Sequence, residues 1–222
     1  MLPFQLLDTN IVMVLNQPAL DMSNPLGLFQ SEEFESIFRP AIGYSQGLIL
    51  DQQRGPATTH QFESMASQKI VTISNFRLEV HDRSGQGDKI GQNDLPILVL
   101  KTAEALGIHT IQALGVNYEL QFRTEGTAAA ALAAKALAPV DGFMPEGARV
   151  RGGSARFLFG EDNGPLYTLS IEPRQQDLTT NVVWVAANYN ATMGEIPGVE
   201  ELKAIHGRGY DTIKNFIELL FN

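Results

Sequence analysis

A chain of 222 residues, 44% hydrophobic and 18% charged, can bury a core; disorder, which needs low hydrophobicity and high charge, is excluded. Its 16 Lys and Arg against 25 Asp and Glu give a formal charge of −9, which disfavours nucleic acid and anionic membrane surfaces, both held through basic residues. With no cysteine, disulfides, thiolate catalysis and Cys-ligated zinc are excluded.

The stretch from Met1 to Asp8 has no basic n-region and meets a carboxylate too early for an apolar h-region, so no secretory signal is expected and the expected location is cytoplasmic. Ile11-Val12-Met13-Val14-Leu15 is far too short to span a bilayer. It reads as a strand buried on both faces, or as an edge strand that a partner covers. Residues 16–30 read as a long loop with Asn16, Pro18, Asn24, Pro25 and Gly27 as punctuation and Leu20, Met22, Leu26, Leu28 and Phe29 as apolar content. Ser31 to Phe38 predicts a short helix capped by Ser31 and stopped by Pro40. Gly47 to Leu50 and Gln61 to Met65 predict strands. Lys69 to Ser74 and Phe76 to Asp82 predict a hairpin around Ser74-Asn75, with Phe76, Leu78 and Val80 on one face and Arg77, Glu79 and His81 on the other.

After a polar, glycine-rich stretch, Asp94 can cap a helix running to about Leu106, with Pro96 tolerated in its first turn and Gly107 as its stop. The strongest signal follows. From Leu114 to Arg123, Leu, Val, Tyr, Leu and Phe take the even positions, and Gly, Asn, Glu, Gln and Arg take the odd ones. Successive strand side chains point to opposite faces, so this is a strand of roughly 33 Å with one buried and one wet face. Thr127 then opens an alanine-rich helix to about Leu137, ended by Pro139.

Arg149 to Arg151, Ala155 to Phe159, Leu166 to Glu172 and Asn181 to Thr192 read as strands, with turns at Gly152-Gly153 and Asp162-Asn163-Gly164. A helix from Val199 to Phe221 closes the chain on the stripe Val199, Leu202, Ile205, Gly209, Ile213, Phe216, Leu220. Gly207 and Gly209 each weaken it by about 1 kcal/mol relative to Ala. Either the helix is two pieces or its backbone approaches the sheet closely there. The expected fold is therefore α+β: a mainly antiparallel sheet with helices packed on one face, in a single domain over 1–222. Hairpin strands followed by a helix occur twice, which suggests two pseudo-repeated halves meeting near 125–145.

Chemistry is sparse. The histidines, His60, His81, His109 and His206, show no metal-ligand spacing. Glu79 and His81 share a strand face, but a metal site needs three or more ligands, so a solvated face is the ordinary reading and neither metal nor cofactor is expected. Arg149, Arg151 and Arg156 beside Gly152-Gly153 form the one basic cluster, a candidate anion site or a charged edge hairpin. It is no Walker loop, since the Lys-Ser/Thr ending is absent. The polar face of the long strand offers Asn117, Glu119, Gln121 and Arg123 as candidate ligand-binding residues, Glu119 as a base and Arg123 as a carboxylate clamp, or simply a solvent face. Trp184, among Val182, Val183 and Val185, reads as core.

Ala113-Leu114-Gly115-Val116-Asn117-Tyr118-Glu119, together with Leu202, His206 and Phe216 in the last helix, resembles a sporadically distributed, uncharacterised bacterial protein family. Its members carry a helix, a "Gly-apolar-x-Tyr" strand and a closing strand and helix. This chain has Asn117 where that family usually has Arg. The resemblance implies a fold pattern and no residue roles.

No catalytic constellation is coherent, the charge content is low, and Ile11–Leu15 adjoins an apolar-rich loop. The expected function is thus a non-enzymatic interaction or assembly module that self-associates as a homo-oligomer or binds a protein partner, with no membrane and no nucleic acid. The alternative is a small-ligand-binding protein or hydrolase-like enzyme that uses the polar face of strand 114–123.

Overall fold

Period-two alternation commits most of this chain to strands, because each extended segment then owns one face that water rejects. A computed structural model describes residues 2–17, 32, 42–51, 55–85, 90, 93–137, 145–146, 148, 150–162 and 164–222, with side chains described except at 42, 49–51 and 55–57. The strands are β1 (Gln5–Leu15), β2 (Ile42–Asp51), β3 (Gly55–Ser64), β4 (Lys69–Ser74), β5 (Arg77–Asp82), β6 (Ile111–Arg123), β7 (Ala155–Gly160), β8 (Leu166–Pro173) and β9 (Val182–Thr192). The helices are α1 (Leu95–Ala105), α2 (Ala128–Lys135) and α3 (Val199–Phe221).

Among the described residues, nine strands make one sheet in the order β2-β3-β4-β5-β1-β6-β9-β8-β7. Every neighbouring pair is antiparallel. The α+β antiparallel expectation is met. Strand β1 is hydrogen-bonded to β5 on one side and β6 on the other, so Ile11–Leu15 is interior. Its reading as a partner-covered edge fails for that reason, and Val12 is buried on the face opposite Ile11 and Met13. Strand β6 starts three residues earlier than its alternation does and lies sixth of the nine.

Register aligns one apolar row across the whole sheet: Tyr44, Phe62, Val71, Val80, Ile11, Val116, Tyr189, Tyr167, Phe159. Its middle members are fully buried. Helix α3 meets this apolar face: Phe221 packs edge-on to Phe122 at 5.0 Å, and Phe216 against Phe157 at 5.1 Å.

Some local expectations shift. Strands β2 and β3 are about twice as long as their sequence signals, because cross-strand pairing holds Gly43, Gly47 and the polar run of β3 extended where propensity does not. Val150 and Arg151 belong to no strand; the chain becomes extended only at Ala155. Gly152 packs so closely on α2 that an added Cβ would stand 2.8 Å from that of Ala129. Trp184 is half-buried and not core: alternation in β9 sends Val183 and Val185 inward and Trp184 to the other face, opposite Gln121. Asp94 makes no side-chain cap of α1; Asn93 Oδ1 accepts from the Leu95 N–H at 2.7 Å instead. The expected loop 16–30 and helix 31–38 lie outside the described residues, apart from Asn16, Gln17 and Glu32.

Helix α3 is one unbroken helix. Its two glycines differ. An added Cβ at Gly207 meets nothing within 4 Å, whereas at Gly209 it would stand 2.5 Å from Tyr118 Oη. That hydroxyl cannot swing away, since it donates to the His206 carbonyl at 2.6 Å and is buried. Gly209→Ala is expected to destabilise the protein by about 1–3 kcal/mol through overpacking. Gly207→Ala should stabilise it by up to about 1 kcal/mol. Urea denaturation of the two variants checks this; equal shifts of the same sign would refute the close approach.

Candidate functional site

The polar face of the sheet is organised by register. His81, Asn10, Asn117, Asn188 and Thr168 come from five adjacent strands and fall in one row. The amides form a ladder: Asn188 Nδ2 donates to Asn117 Oδ1, and Asn117 Nδ2 to Asn10 Oδ1, each at 2.6 Å. At one end, His81 bonds Asp8 through Nδ1 at 3.2 Å and Glu79 through Nε2 at 3.0 Å. Arg83 Nε reaches Asp8 at 3.1 Å, and Arg77 pairs with Glu79 at 3.0 Å. Burial alone would lower the pKa of His81, but hydrogen bonds and charge attraction from Asp8 and Glu79 prevail and raise it to about 9. Burial likewise opposes ionisation of Glu79, yet His81 and Arg77 hold its carboxyl below the usual range. Near neutral pH both ring nitrogens of His81 therefore carry protons and are committed to Asp8 and Glu79, which leaves no lone pair for a metal.

Of the four residues proposed on strand 114–123, two come together. Asn117 and Glu119 border a cavity of about 290 Å³ with Asp8, Asn10, Ser170 and Asn188. The Glu119 carboxylate has no partner among the described residues. Gln121 is engaged elsewhere, donating to Gln5 at 2.6 Å and accepting from Arg174 at 2.8 Å. Arg123 donates to Asn181 at 3.3 Å and lines a separate cavity beside α2. A row of amides and hydroxyls beside one unpaired carboxylate can exchange hydrogen bonds with a neutral polar ligand.

The basic cluster is less coherent. Arg149 lies outside the described residues, Arg151 and Arg156 are both exposed, and Gly152 and Gly153 face α2 and Leu137 closely rather than opening a cradle of N–H groups.

A second polar row, which sequence reading overlooked, lies inside the core. Ser64, Lys69, Asp82, Thr9 and Tyr118 are register partners on β3, β4, β5, β1 and β6, and all are buried. Lys69 Nζ meets Asp82 at 2.6 Å and Asp94 at 2.7 Å. Asp82 also accepts from Asn93 Nδ2 at 2.6 Å and the Ser84 N–H at 2.8 Å. Burial alone would raise the Asp82 pKa; the bonds from Lys69 and Ser84 hold it below the ordinary carboxylate value. His206 of α3 joins from above, with Nε2 at 2.9 Å from Thr9 Oγ1. That hydroxyl spends its proton on the Asn117 carbonyl at 3.0 Å, so Nε2 carries the imidazole proton and Nδ1 the lone pair. Among the described residues Nδ1 is buried without a partner, and burial lowers the His206 pKa to about 4. The signal existed: Asp82 continues the inward phase of Leu78 and Val80, and His206 lies four residues after Leu202 on the buried stripe of α3.

Among the described residues, no three His, Asp or Glu side chains gather as a metal site, and no helix is long and apolar enough to cross a membrane. No family model matches the chain, and no curated protein matches it either.

Proposed function

We propose that this chain is a non-enzymatic assembly module whose sheet is extended by a second copy along β2, with α1–α3 packed on one face. The observation that carries this reading is the character of the edge. Among the described residues, strand β2 is ten residues long, hydrogen-bonded to a neighbour on one side only, and free of charge and proline from Ile42 to Leu50. Natural edges are blunted by lysine, proline, bulges or shortness, and β2 uses none of these. The opposite edge, β7, is six residues long and carries Arg156. Gly43 to Leu48 are all exposed, and Tyr44 and Leu48 leave 41% and 78% of their surface to solvent. Tyr44, packed on Phe62 at 5.2 Å, begins the apolar row that a second copy would continue. The one-face arrangement is supported by Tyr118, Phe122 and Phe157, which all meet α3 from the same side.

The hydrolase-like alternative has less support, since Glu119 and Arg123 line different cavities and both ring nitrogens of His81 are committed. Size-exclusion chromatography with light scattering tests the module. The wild type should be dimeric, with a melting temperature that rises with protein concentration, and Leu48→Lys should be a folded monomer whose melting temperature does not depend on concentration. A wild-type monomer at the highest soluble concentration, or a Lys variant that still dimerises, overturns the reading.

A further inference from the structure

At the sheet end opposite β2, strands β7, β8 and β9 and helix α3 enclose a cavity of about 630 Å³. We propose that this cavity binds a small planar aromatic carboxylate, a property independent of the β2 edge. Its floor is the end of the apolar row, Phe159, Tyr167 and Tyr189. Phe159 and Tyr167 lie parallel at 5.2 Å and 7°, while Tyr189 stands edge-on to Tyr167 at 5.4 Å and 72°. Phe216 stacks on Phe159 at 4.8 Å, which fixes the floor against α3. Because Phe159 is stacked on both Tyr167 and Phe216, an aromatic ligand meets this floor at ring edges, one of the arrangements that ring quadrupoles favour. The volume falls in the range of small-molecule sites.

The charge comes from α3. Ile205, Arg208 and Thr212 share one helix face and form the wall. Among the described residues, Arg208 is the only cation lining the cavity, and its guanidinium has no hydrogen bond or ion pair. A planar fork of N–H donors beside an aromatic floor suits a carboxylate bidentately; a neutral ligand would leave it unused. Glu161, in the β7–β8 turn, lines the same cavity and opposes an anion there, so the carboxylate belongs at the α3 side. Gly160 brings that turn close: an added Cβ would collide with the Pro165 carbonyl oxygen.

Calorimetric titration of the full chain with naphthoate, naphthalenemethanol and naphthylmethylamine tests the assignment. Naphthoate should bind saturably and more tightly than the alcohol, and the amine no better than the alcohol. Arg208→Gln should weaken naphthoate about tenfold, the scale of one charge-assisted bond pair, and leave the alcohol and the melting temperature unchanged. Tyr167→Leu should weaken naphthoate and alcohol together, and Glu161→Gln should tighten naphthoate. Unsaturable naphthoate binding, indifference to Arg208→Gln, or preference for the amine overturns the proposal. Each outcome is read without reference to oligomeric state, so it is separable from failure of the β2 reading.

Discussion

Replacing Lys69 by Met is expected to cost about 3–5 kcal/mol. The reason is the carboxylate left behind. Asp82 is only 3% exposed, and its ammonium partner at 2.6 Å is nearly as buried. Without Lys69 the charge must either stay ionised on two neutral donors, Asn93 Nδ2 and the Ser84 N–H, or be neutralised by a proton, because burial raises the pKa once the Lys69 ammonium that lowered it is gone. The double variant Lys69→Met/Asp82→Leu removes both charges and should return to within about 1 kcal/mol of the wild type, because an apolar pair of similar volume often substitutes for a buried ion pair at little cost. Asp94, the second partner of Lys69, is largely exposed and can be solvated instead. A double-mutant cycle by urea denaturation reads the result. A single-variant loss below about 1 kcal/mol, or a double-variant loss equal to the sum of the singles, would show that the pair is not isolated in the core.

What the sequence discloses here depends on range. The β6 alternation is a property of ten consecutive residues, and the strand follows from it directly. The hairpin of β4 and β5 is equally local, and so is the unbroken α3, whose stripe overrides two glycines. The amide ladder is not local. Asn10, Asn117 and Asn188 are 107 and 71 residues apart, and only the register of β1, β6 and β9 makes them neighbours. The same holds for His81, which reads as part of a solvated strand face with Glu79 until β1 supplies Asp8 and the cluster proves largely buried. Asp82 and Lys69 lie between these extremes. A charge in the inward phase of a strand announces a buried partner, and the hairpin register names it: Lys69 stands opposite Asp82. The length of β2 was hidden because Gly43 and Gly47 break its propensity while leaving its hydrogen bonds intact.

Stability should peak near pH 6.5 and fall on both sides for opposite reasons, with His206 the main contributor to the acid limb, joined by His60, whose pKa burial also lowers, and His81 the main contributor to the alkaline one. His206 is held neutral: its folded pKa of about 4 lies below its ordinary 6.5, so the unfolded chain binds the extra proton and stability is lost as pH falls through that interval. His81 is held charged: its folded value of about 9 lies above 6.5, so its contribution is complete below 6.5 and disappears as pH rises towards 9. Each shift corresponds to about 3 kcal/mol in full, of which about 2 kcal/mol should be seen between pH 7 and 5 for His206 and between pH 7 and 9 for His81. The acid limb is best read above pH 5, where ordinary carboxylates remain ionised. His206→Leu should flatten that limb and leave the alkaline one. The slope is the readout, so an overall loss of stability in the variant does not disturb it. Thr9 keeps its bond to the Asn117 carbonyl in that variant, which limits the loss to the Nε2 contact and the stacking on Tyr118. His81→Gln should do the reverse, flattening the alkaline limb while still offering polar contacts to Asp8 and Glu79. Acid limbs of equal slope in the wild type and His206→Leu would mean that the buried imidazole is not the group that titrates. The polar row on the open face and the polar row in the core would then have to be weighed again, because both are built on the same register through β1, where Asn10 faces His81 and Thr9 faces His206.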